Sequence, residues 1–105
     1  MDIRYNINRI HSILSSKHED VEIKEKSSLK FGNYFEILIK ESKEVKIIIP
    51  YRNIDNIYNF NFYYYSNPLN ENSDLISRNT DVESIGLIID DIIINNRFSE
   101  EYLKN

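Results

Sequence analysis

Cysteine, tryptophan, alanine and glutamine are absent from this chain, and glycine and proline occur only twice each in 105 residues. Without cysteine there is no thiol nucleophile, no disulfide and no thiolate metal site. Such a composition fits a reducing compartment. The two glycines, Gly32 and Gly86, stand alone. They form no phosphate loop, no dinucleotide fingerprint and no Gly-x-Ser-x-Gly elbow around any of the serines. Long apolar runs are also missing. Stretches such as Leu87–Ile89 and Ile92–Ile94 fall far short of the ~20 residues that cross a bilayer. Met1–Tyr5 lacks the apolar region of a signal peptide. The expectation is a soluble cytoplasmic protein that makes no use of a membrane.

Isoleucine and asparagine are in excess, at 19 and 14 residues. Both are written by A/T-rich codons, as are lysine and tyrosine, so asparagine number alone is weak functional information. Hydrophobic content of 41% and aromatic content of 12% supply a core, and 29% charged residues do not suggest disorder. The length predicts a single domain over 1–105. A domain of this size buries roughly 60–70% of its unfolded surface and folds without a metal or disulfide.

Apolar residues at Ile3, Ile7, Ile10, Ile13 and Leu14 recur once per turn, which predicts a helix over 2–16 with Asp2 at its cap. The period then changes to two. Val21 and Ile23 form a short strand, Lys26–Lys30 a turn, and Phe35, Ile37 and Ile39 a second strand. After the polar connection Glu41–Glu44 come Val45, Ile47 and Ile49, ended by Pro50, which has no N–H for a ladder. A turn-rich loop over 51–57 leads to Tyr58, Phe60, Phe62 and Tyr64. The short connections predict an antiparallel meander of four strands. Its apolar faces can align, leaving Tyr34, Glu36, Leu38, Lys40, Lys46, Ile48, Asn59, Asn61, Tyr63 and Tyr65 on a partly wet second face.

Ser66–Asn79 reads as a loop. Thr80-Asp81-Val82-Glu83 has the form of a capping box, opening a second helix over 81–96. Val82, Ile85, Ile88, Ile89, Ile92 and Ile93 fall on one arc of ~140°. Gly86 borders that arc and suggests close packing on the sheet. Leu87 and Ile94 lie opposite, among Glu83, Asp90 and Asp91. Ser99 can cap a final turn over 100–103. The fold class expected is α+β, a four-stranded antiparallel meander packed by an N-terminal and a C-terminal helix.

No catalytic set is visible. His11 and His18, seven residues apart, are too far apart on one helix to share a metal. His11 has no visible partner for work as a base and reads better as a surface histidine. Asp90-Asp91 point ~100° apart on a helix and do not converge alone. The expectation is therefore a protein that is not an enzyme and uses no cofactor and no metal. Tyr63-Tyr64-Tyr65 beside Asn59 and Asn61 resembles a base-stacking platform, to which Lys40 and Lys46 add charge. Strands favour tyrosine in any case. The run Lys30-Phe31-Gly32-Asn33-Tyr34-Phe35 shares only a little with the RNA-recognition signature, and the order of elements differs from that fold. A small nucleic-acid-binding accessory protein remains the alternative reading.

Charge is unevenly spread. Residues 1–65 carry 10 Lys/Arg against 9 Asp/Glu, and residues 66–105 carry 3 against 8. An acidic end repels phosphate and favours a basic partner, chiefly through on-rate and specificity. Apolar Leu87 and Ile94 ringed by Glu83, Asp90 and Asp91 suit a protein interface. A C-terminal turn carrying Phe98, Tyr102 and Leu103 that folds back over them is the competing reading.

In overall character the chain resembles the immunity proteins of bacterial contact-dependent inhibition and related polymorphic toxin systems. The residues that carry the likeness are the acidic segment Asp74–Asp91 with Glu100-Glu101, and the Tyr/Asn-rich strand 58–65. The resemblance is of size, acidity, absence of cysteine and element order, with no specific motif. It implies a cognate toxin as partner, commonly a basic nuclease, whose cleft is blocked by acidic side chains, with no direct contact to nucleic acid. On that reading the toxin-binding residues are Asp74, Asp81, Glu83, Leu87, Asp90, Asp91, Ile94, Tyr63 and Tyr65. Neither the toxin nor the oligomeric state follows from the sequence.

Overall fold

The computed structural model describes residues 3–40, 44–65 and 75–95. In chain order it runs α1 (Ile3–Ser15), β1 (Val21–Ser28), β2 (Gly32–Lys40), β3 (Glu44–Pro50), a 3₁₀ turn (Tyr51–Asn53), β4 (Phe60–Tyr65), β5 (Leu75–Thr80) and α2 (Ile85–Asn95). The fold is α+β. The strands form one antiparallel sheet in the order β1-β2-β3-β4-β5.

The sheet thus has five strands, not the four expected. Leu75–Thr80 lies inside the segment read as a loop, and it pairs with β4 from Phe60↔Thr80 to Tyr65↔Leu75. Its sequence, Leu-Ile-Ser-Arg-Asn-Thr, has no apolar alternation. The backbone of β4 supplies the pairing, and Asn79 Nδ2 adds a hydrogen bond to Asn61 Oδ1 at 3.1 Å. Other boundaries move as well. β1 runs through Lys26 to Ser28, so the expected turn shrinks to Leu29–Phe31. There Phe31 N–H donates to Ser28 Oγ at 3.0 Å, and Gly32 follows with φ +68°, a left-handed conformation that a side chain resists. Tyr58 precedes β4 and is exposed. α2 begins at Ile85 rather than 81. Thr80 is spent as the buried last residue of β5, and Asp81 Oδ1 accepts from Ser84 N–H at 2.7 Å, closing the turn that precedes α2.

Both helices cover one face of the sheet. Ile7, Ile10 and Leu14 of α1 and Ile85, Ile88, Ile89 and Ile92 of α2 share a core with Phe35, Ile37, Ile39, Val45, Ile47, Ile49, Phe60 and Phe62. Each such side chain fully buried contributes about 1.5–3 kcal/mol. Ile54 plugs the end of this core, fully buried, and its carbonyl accepts from Asn6 Nδ2 at 2.8 Å. Gly86 serves the helix pair rather than the sheet, contrary to expectation. A Cβ there would lie 3.2 Å from Ile13 Cγ2 and 3.2 Å from Lys17 Cε. Asp2, Ser99, Glu100-Glu101 and the 100–103 turn lie outside the described residues. No helix among the described residues is long and apolar enough to cross a membrane.

Candidate functional site

The residues singled out for partner binding fall on two surfaces separated by the sheet. α2 stands on the covered face. Tyr63 and Tyr65 alternate with the buried Phe62 and Tyr64 and so project from the other face. Asp74 lies outside the described residues.

On α2 the expected acidic face is largely taken up within the fold. Asp81 is engaged by Ser84 N–H in the turn before α2. Glu83 accepts from Arg9 Nη2 at 2.9 Å. Asp90 accepts from Lys17 Nζ at 3.0 Å, and its other oxygen lies 3.0 Å from His18 Nε2. His18 is buried, and α1 with the residues just after it sets Arg9, Lys17 and His18 opposite these acids. Asp91 is half-buried, and its charge acts on Tyr64. Leu87 and Ile94 remain exposed, at 54% and 77%. They keep the expected apolar ridge, but its carboxylates are not an open acidic field.

The uncovered face is a different surface. One cross-strand row reads Lys24, Glu36, Ile48, Tyr63, Ser77. Glu36 and Ile48 are buried although no helix among the described residues lies over them. Lys26 Nζ bonds both Glu36 oxygens at 3.1 Å. Phe31, from the β1–β2 turn, folds onto this face. Its ring centroid lies 5.3 Å from that of Tyr63 and 5.7 Å from that of Tyr34. Lys46 Nζ stands 5.5 Å from the Tyr65 centroid, a cation–π distance. By strand alternation Lys24, Lys26, Lys40 and Lys46 share the face with Glu22, Glu36 and Glu44, and Lys30 and Arg52 add cations at one end.

That end holds a cavity of about 270 Å³ lined by Lys30, Phe31, Arg52, Tyr63, Leu75 and Ser77. Arg52 Nη1 donates to the Phe31 carbonyl at 3.2 Å. Lys30 Nζ lies 5.4 Å above the Phe31 ring. Tyr63 was already marked by the strand alternation. The other five lining residues come from three further segments, and no local pattern in the chain announces that they meet.

A second crevice, about 380 Å³, opens between α1 and β1 and is lined by Arg4, Ile7, Asn8, His11, Ile23, Glu25 and Phe35. Glu25 is held by Arg4 in an ion pair, and Tyr51 Oη donates to it at 2.9 Å. The Arg4 hydrogen bond, then the Tyr51 one, hold the Glu25 carboxyl below its ordinary range. A general base works best with a pKa near the operating pH, so Glu25 is tuned away from that role. His11 Nε2 lies 3.3 Å from Ser15 Oγ on its own helix. Among the described residues no three His, Asp or Glu side chains converge as metal ligands.

No family model, curated protein or solved structure matches this chain.

Proposed function

We propose that this chain is a non-catalytic inhibitor that binds and neutralises a cognate bacterial toxin, as immunity proteins do, and that it docks through the open face of the sheet. One observation carries the docking surface. Tyr34, Tyr63 and Tyr65 with the half-buried Leu38 form an aromatic and aliphatic centre, and lysines and glutamates share the rim around it. Tyrosine-rich centres with a polar rim are the anatomy of protein interfaces. Lys30 and Arg52 add positive charge at one end, which fits a toxin surface with an apolar centre and a carboxylate at that edge. A nuclease as partner draws its support from the acidic segment of the sequence. That support weakens where Glu83 and Asp90 answer Arg9, Lys17 and His18.

The experiment is co-purification with the toxin encoded beside this gene, followed by binding kinetics of two variants. Tyr63→Ala with Tyr65→Ala should speed dissociation about 10–100-fold, as loss of interface aromatics does. Asp91→Lys with Leu87→Lys should change little. The reverse pattern returns the docking site to α2, and no complex at low salt overturns the toxin reading.

A second reading, a nucleic-acid-binding accessory protein using the Tyr/Asn-rich strand, is favoured by one arrangement. Lys30, Lys46 and Arg52 stand beside the same rings that would stack on bases. Titration with labelled single-stranded RNA separates the readings.

A further inference from the structure

We infer that the cavity between the β1–β2 turn and β4–β5 is a binding site for a nucleoside phosphate, its ring against Tyr63 and Leu75 and its phosphate between Lys30 and Arg52. The walls are chemically divided. Phe31, Tyr63 and Leu75 make an apolar side, Lys30 and Arg52 a cationic one, and Ser77 places a hydroxyl between strands. Among the described residues no carboxylate lines the cavity, and neither Lys30 nor Arg52 has a carboxylate partner. This contrasts with Lys26 and Lys40 on the same face, which pair with Glu36 and Glu22.

Both cations are positioned before any ligand arrives. The Arg52 guanidinium spends one donor on the Phe31 carbonyl, and four of its five remain. That bond fixes the planar fork, which suits phosphate oxygens better than a floppy ammonium does. Lys30 is held over the Phe31 ring. Phe31 itself is buried, so it serves as the platform that locates both cations. The half-exposed Tyr63 ring is the surface left for a base. A volume of about 270 Å³ lies just below the roughly 300–1,000 Å³ of ligand pockets and suits no more than one nucleotide unit, not a dinucleotide cofactor.

This inference does not depend on the toxin reading, and it gives the nucleic-acid reading a first subsite. The shared chemistry has two sources, a free nucleotide and one unit of a single strand, and the experiment separates them. The intact chain is titrated with AMP, adenosine, inorganic phosphate and a uridine dodecamer. AMP should bind, with adenosine and phosphate each at least about tenfold weaker, since one loses the charged contacts and the other the stacked ring. Lys30→Ala and Tyr63→Ala should each weaken AMP about tenfold. Lys30 and Tyr63 are used because Arg52 also braces the turn. Far-UV circular dichroism confirms that each variant is folded. Tighter, salt-dependent binding of the dodecamer that is weakened by the same variants identifies the strand as the source. AMP binding with no gain for the dodecamer identifies the free nucleotide. No AMP binding at millimolar concentration, equal binding of phosphate and AMP, or dodecamer binding indifferent to both variants overturns the inference. Tyr63 belongs to both surfaces, so the toxin reading is judged separately, by whether a complex forms with no nucleotide present.

Discussion

His18 Nε2 lies 3.0 Å from Asp90 Oδ1, joining residues 72 positions apart at the junction of α1 and α2. Lys17 Nζ reaches the other Asp90 oxygen at 3.0 Å. One carboxylate of α2 therefore answers two neighbouring donors just beyond the end of α1. Because His18 is buried, this junction belongs to the fold rather than to its solvent.

Removing that carboxylate leaves its donors beside apolar surface. Asp90→Ala should lower stability by about 1.5–2 kcal/mol, the lower part of the range for bonds to a charged group, because 28% of the Asp90 side chain stays exposed. Glu83→Ala is the control. Its pair with Arg9 is exposed on both sides, at 71% and 48%, and should be worth no more than about 0.5 kcal/mol. Urea denaturation of the two variants checks the ordering. Equal losses would mean that the Asp90 junction is an ordinary surface pair.

The same junction explains what the sequence could and could not disclose. Apolar spacing along Ile7, Ile10 and Leu14, along Phe35, Ile37 and Ile39, and along Ile85 to Ile92 is local and survives folding intact. The acidity of α2 is also local, but its meaning depends on Arg9, Lys17 and His18, which no periodicity brings opposite. β5 was hidden because an edge strand stabilised by backbone pairing needs no apolar alternation. Asn6 interrupts the apolar face of α1, yet it is fully buried because it bonds Ile54, 48 residues away. The cavity beside the β1–β2 turn is hidden for the same reason. Its walls are contributed by the β1–β2 turn, the 3₁₀ turn, β4 and β5.

Gly86 sets how closely the helices meet. Gly86→Ala places its methyl 3.2 Å from Ile13 Cγ2 and from Lys17 Cε. Both neighbours are side-chain atoms, and the lysine end is flexible. Alanine also regains up to about 1 kcal/mol of helix propensity. The net change should stay within about 1 kcal/mol. Gly86→Leu has no such latitude and should cost about 1–3 kcal/mol by overpacking. Comparison of urea midpoints tests this, and a leucine variant as stable as the parent would show that α1 and α2 part without penalty.

Tyr64 points into the core, and burial pushes its phenol from 10.0 up to about 12, with Arg78 pulling it down and Asp91 pushing it up to smaller extents. The folded value is raised, so the stability it carries is intact below about pH 10 and is lost as pH rises from there through 12. Tyr64→Phe should flatten the alkaline fall in stability. Absorbance titration at alkaline pH should show late-ionising phenols, Tyr64 and also Tyr51, whose bond to Glu25 raises it, and the Tyr64 part of that late step should vanish in the variant. A titration curve unchanged by Tyr64→Phe would place the late phenol elsewhere.

Glu25 gives the acid-side counterpart. Its carboxyl lies below the ordinary 4.5 because Arg4 and then Tyr51 hydrogen-bond its charged form, and the same bond raises the Tyr51 phenol. A depressed folded value means that the contribution is present above pH 4.5 and is lost as pH falls through the folded pKa. The stability difference between the parent and Glu25→Gln should therefore be seen at neutral pH and fade in acid. Carboxyl titration by NMR can apportion the causes. Arg4→Ala should move Glu25 back toward 4.5 further than Tyr51→Phe does, since the arginine bond is the larger influence. If Tyr51→Phe moved it more, the phenol rather than the guanidinium would be the group that holds Glu25 ionised.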